Sequence, residues 1–148
     1  MFTNLLPSEV AGVVAVIDPD AYSNAAYSTT WFDVSKFHSF VGVVLAGDLG
    51  SSATCNAKFE QATTDGGTPK DVTGRAITAL TQAGTDSNKQ ALINLRPDDL
   101  DMDNGYRWAR LTVTIGVAAS DMAALVLGVH PRNGAASDND ITTVDEIV

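Results

Sequence analysis

Cysteine, histidine and positive charge are all scarce in this sequence, and each scarcity closes a route to function. Cys55 is the lone cysteine, so no internal disulfide can form. It lies in an alternating apolar stretch that suits a small core residue. A reactive thiol wants a partner base, and none is near it in sequence. His38 and His130 are the two histidines. A zinc site needs three or four closely arranged nitrogen or sulfur ligands, which one cysteine and two distant histidines do not supply. Nine Lys and Arg stand against 18 Asp and Glu, a net charge of −9. Phosphate contacts need a basic face, so a nucleic-acid partner is disfavoured. Long apolar runs are missing too. Residues 40–46 and 122–127 fall far short of the roughly 20 residues a bilayer requires, so no membrane span is expected. The first residues show neither a basic leader nor a long apolar stretch, and a secretory signal is not expected.

Catalytic signatures are equally thin. There is no Gly-x-Ser-x-Gly elbow and no phosphate-cradling glycine loop. Asp99, Asp101 and Asp103 open like a calcium loop, but Asn104 stands where the bend needs Gly. Arg110 then stands where a bidentate Glu should close the site. Asp138, Asp140, Asp145 and Glu146 match no ligand spacing and suit a solvated surface. The sequence therefore predicts no enzyme, no cofactor and no metal.

What is present is β-strand patterning. A chain of 148 residues with 45% hydrophobic content can build a core without staples. It fits one domain, over 1–148, with a radius of gyration of roughly 15 Å. Residues 53–61 alternate, with Cys55, Ala57 and Phe59 on one face and Asn56, Lys58 and Glu60 on the other. Residues 106–117 alternate again. Ala109, Leu111, Val113, Ile115 and Val117 face one way; Trp108, Arg110, Thr112 and Thr114 face the other. Residues 10–17, 28–32, 71–80 and 90–96 read as further strands. Residues 37–46 are apolar on both faces toward their end, which asks for burial on both sides or for a partner on one. Residues 122–129 form the last strong strand. Asp18-Pro19-Asp20 is expected to end the first, because proline cannot donate to a ladder. Residues 131–140 read as an exposed loop, and 141–148 as a tail able to add an edge strand. About seven to eight strands with turn punctuation predict an all-β, antiparallel β-sandwich or jelly roll.

The candidate contact residues are apolar or aromatic. Residues 1–9 read as an N-terminal arm carrying Phe2, Leu5 and Leu6 outside any periodic pattern. Trp31, Tyr106 and Trp108 suit either strand-face packing or interface anchoring. Trp108 lies between Arg107 and Arg110 on the face opposite the apolar one, as a subunit contact or a sugar platform would.

Three stretches resemble a family of small tailed-bacteriophage virion proteins. They are YSTTWFDVSKF from Tyr27 with LAGDLG from Leu45; AKFEQAT from Ala57 with KDVTGRAITAL from Lys70; and RLTVTIG from Arg110 with 123–127 and the ending VDEIV. The resemblance covers most of 25–148 and is weaker over the first 24 residues. It implies a virion structural protein, an auxiliary head protein that cements or decorates the outer capsid. The implied partners are the major capsid protein and other copies of the chain, as dimer, trimer or pentamer. The implied location is the virion, assembled in the host cytoplasm. A head-spike base, neck or tail component stays open, as does a carbohydrate-binding β-sandwich.

Overall fold

Strand segments carry most of the regular structure in a computed structural model that describes residues 4–148. In chain order they are β1 (Ala11–Tyr22), β2 (Ala26–Ser28), β3 (Phe32–Asp33), β4 (Phe37–Leu49) and β5 (Thr54–Ala62). There follow β6 (Lys70–Ala76), β7 (Leu80–Thr81), β8 (Gln90–Leu95), β9 (Trp108–Gly116) and β10 (Ser120–Pro131). One helical turn, α1 (Pro7–Val10), precedes β1. Phe2 lies outside the described residues.

The ten segments fill eight strand positions. β2 and β3 pair with the same edge of β9, and β6 and β7 with the same edge of β5. One sheet runs β1-β10-β4-β8; the other runs from β2 and β3 through β9 and β5 to β6 and β7. Every pairing is antiparallel. Numbered by position, the order is 1-8-3-6 facing 2-7-4-5. That is a jelly roll, an all-β sandwich of the class the strand pattern predicts.

The inner faces meet through phenylalanines. Phe32 lies 4.9 Å from Phe40 and 6.3 Å from Phe59 between ring centroids, and Phe37 lies 5.7 Å from Phe40. Phe37, Phe40, Phe59, Leu95, Leu111 and Ile115 are almost wholly buried. Full burial of a side chain of this size contributes about 2–3 kcal/mol before entropy. The alternations in β5 and β9 fall as expected: Cys55, Ala57, Phe59, Ala109, Leu111, Val113 and Ile115 all point inward. Val117 does not. β9 stops at Gly116, and Val117 is 65% exposed with a left-handed φ of 72°.

Pro19 does not end β1, which continues to Tyr22 through a register shift between Ile17 and Asp20. β1 is an edge strand, where the missing N–H need not be replaced. The tail adds no strand over 141–148. It instead fastens to β1: the Asp140 carboxylate accepts from the Val13 N–H, and the Ile141 N–H donates to the Val13 carbonyl. Residues 131–140 are not a wholly exposed loop, because Ala136 is fully buried against β1. Its carbonyl lies 2.6 Å from where a Cβ on Gly12 would sit, so glycine is required for this approach.

Candidate interaction surfaces

The outer face of the β9–β5 sheet is a polar ladder closed on itself. Arg110 on β9 stands directly opposite Glu60 on β5 and donates to Glu60 Oε2 at 2.8 Å. The Thr112 hydroxyl donates to the same oxygen at 2.8 Å, leaving its lone pairs to accept from Ser28 at 2.7 Å. Lys58 approaches Glu60 Oε1 at 3.3 Å and also pairs with Asp71 on β6. Burial raises the Glu60 pKa, but the hydrogen bonds from Arg110 and Thr112 and the nearby positive charges outweigh it and hold the carboxyl below its ordinary range. Trp31, between β2 and β3, is half-buried beneath the Arg110 guanidinium, 4.7 Å from ring centroid to Cζ. Arg110 is thus paired with Glu60 within the chain, and one face of Trp31 is capped.

The other aromatic and arginine candidates cluster at one end of the same sheet. Arg107 pairs with Asp33, whose carboxylate also accepts from the Ser35 N–H at 2.8 Å. Burial raises the Asp33 pKa, and the Ser35 and Arg107 bonds lower it further than burial lifts it. Tyr106 lies under Lys70, 4.9 Å from ring centroid to Nζ, and Lys70 also pairs with Asp101 at 2.7 Å. Trp108 is half-buried in a hollow of about 240 Å³ shared with Trp31, Val14 and Ile141. Trp31 and Trp108 are therefore brought together, with Arg107 and Arg110 tied to carboxylates beside them.

The acidic loop is also used internally. Asp99 takes two bonds from Arg75, at 2.7 and 3.0 Å, and one from the Arg96 N–H at 2.7 Å. Asp101 takes Lys70 and Asn104. Among the described residues no group of three or more His, Cys, Asp or Glu is placed to hold a metal ion, and no helix is long and apolar enough to cross a membrane. At the N-terminal end Leu5 and Leu6 are 45% and 63% exposed. Leu5 lines a hollow of about 410 Å³ with His38 and His130.

The outer face of the four-stranded sheet differs from all of this. Gly42 points inward, since a Cβ there would lie 2.9 Å from Phe59 Cζ, so Val41 and Val43 point outward. The register then defines the rows. Val16, Leu125, Val43 and Leu92 cross the sheet from β1 to β8. Val13, Leu127, Val41 and Asn94 form the next row. Ala11, Val129 and Ser39 flank them on one side, and Ala123, Leu45 and Gln90 on the other. No charged side chain interrupts these rows, and Asp121, exposed beside Gly47, marks where the face turns acidic at the margin. Leu92 is 65% exposed and Leu45 is 40% exposed. Alternation alone did not assign these residues to a surface. The available signal was the two-sided apolarity of 37–46 and 122–129, in contrast to the wet and dry faces of β5 and β9.

No family model matches the sequence, and no curated protein matches it. Among solved structures, a chain of infectious bursal disease virus (Gt strain) is 11% identical over 86% of this chain, with a TM-score of 0.47. This chain spans only 33% of that one. The Triatoma virus empty capsid gives 8% identity and a TM-score of 0.47, covering 87% of this chain and 95% of that one. The SPBc2 prophage-derived protein YomS gives 11% identity and a TM-score of 0.36, covering 74% and 93%. At such identities and scores these likenesses bear no functional weight. The jelly roll itself rests on the strand pairing.

Proposed function

We propose that this chain is a structural subunit of a virus particle that binds the outside of a bacteriophage head and cements it through subunit contacts. The observation that carries the reading is the set of uncharged, mostly apolar rows across the outer face of the β1-β10-β4-β8 sheet. Contiguous apolar surface on this scale marks an interaction site, which the reading assigns to contacts between subunits. The sequence resemblance over 25–148 supplies the setting, with the major capsid protein as partner and the virion as location. A jelly roll is one scaffold used for capsid domains, though a fold alone assigns no role. Repetition over a shell turns modest individual contacts into large avidity.

Reconstruction of the assembled particle tests the proposal. Density for this chain at repeated positions over the head is expected. Confinement to the neck or tail overturns the head assignment, and absence from particles overturns the virion role.

A further inference from the structure

We infer that the apolar outer face of the β1-β10-β4-β8 sheet packs against the same face of a second copy, forming a twofold dimer with sheet stacked on sheet. The inference rests on reading this face as an assembly surface and names its occupant. Three features select another copy. The first is charge. The chain carries −9, yet the four outward rows, from that of Ala11 and Ser39 to that of Ala123 and Gln90, contain no ionisable group. The nearest acid on β10, Asp121, stands at their margin beside Gly47, so two copies meeting over these rows keep most of their like charges outside the contact. The second is size. Four strands about 4.8 Å apart, each giving about six residues at ~3.3 Å, make a face of roughly 400 Å² in projection. Side-chain relief adds to this, bringing a pair of such faces to about the 1,200 Å² of total buried surface at which stable interfaces begin.

The third feature is shape. The face is uneven across the strands. Leu92 on β8 protrudes, whereas β1 presents only Ala11, Val13 and Val16. A twofold axis along the strands, between β10 and β4, lays β8 of one copy over β1 of the other. Leu92 then fills the low side twice, once in each direction, and Leu125 and Leu127 of one copy meet Val41 and Val43 of its partner. Such isologous contact closes after two copies, and aligned stacking is the ordinary way for two twisted sheets to pack.

The full chain, free of particles, provides the test. Light scattering at about 50 µM should give twice the 15.5 kDa chain mass. Leu92→Lys, at an exposed position that folding does not need, should halve that mass while leaving the circular dichroism spectrum unchanged. A Leu92→Cys/Val16→Cys double variant should be joined across copies by a bis-maleimide spanning about 10 Å, the spacing of stacked sheets, with Cys55 buried and out of reach. A monomeric wild type overturns the dimer. So does a Leu92→Lys chain that stays dimeric, or a cysteine pair that does not cross-link. A monomer whose retention on particles is lost with Leu92→Lys assigns the face to the shell instead, overturning self-pairing while keeping the virion role. A dimer that binds no particle does the reverse.

Discussion

Close approach of backbone to side chain decides several positions in this molecule. Gly128 is the sharpest example. A Cβ there would fall 2.6–2.7 Å from three atoms of the fully buried Phe37 ring. The ring cannot swing away, because Phe40 packs against its edge. Gly128→Ala should therefore destabilise the fold by about 1–3 kcal/mol through overpacking. A lower urea midpoint at an unchanged slope is the expected result. Nothing in the sequence marks Gly128 as special, since Phe37 is distant from it along the chain. Cys55, by contrast, was legible as a core residue because its neighbours alternate around it.

At the scale of elements, β5 and β9 are the legible pair. Their period-two pattern fixes which side chains face the core. It does not reveal that Glu60, on the outer side, would be only 7% exposed. That follows from the direct pairing of Glu60 with Arg110 and from Thr112 two residues further along β9. The consequence is a pH dependence with a definite sign. Because the folded-state pKa of Glu60 is lowered, its contribution is fully present above the unfolded value of about 4.3 and is lost as pH falls through the folded value. Glu60→Gln should cost about 1–2 kcal/mol at pH 7, where Arg110 and Lys58 lose a charged acceptor. The gap between variant and wild type should shrink toward pH 3, as read from urea midpoints at both values. β1 was read less well than β5 and β9. Proline stops a strand only where its missing N–H is needed, and sequence does not say that β1 lies at an edge.

For the whole molecule, the class was legible but the wiring was not. Strand count and turn spacing point to a sandwich, yet the order of strands depends on pairings between distant segments. β1 pairs with β10, and Asp140 reaches the Val13 N–H across 127 residues. The contact face has the same origin: Val16, Leu125, Val43 and Leu92 come from four separate strands and form one row only after the sheet is assembled. Such topology places loop-closure entropy before most of the stabilising contact. Refolding should accordingly be slow for a chain of this length, with a time constant on the order of 10 ms to seconds. Stopped-flow fluorescence from Trp31 and Trp108 measures it, and microsecond refolding would contradict the expectation.

Burial of the lone thiol has a further use. Cys55 sits on β5 between Ile115 of β9 and Leu80 of β7, with no surface exposed and its pKa raised by desolvation. An alkylating reagent reaches it only when strands part. Its labelling rate in native buffer is therefore a built-in clock for the opening of the β9–β5 sheet. The same clock, run on free chain and on chain held by a partner, reports how much each association slows that opening.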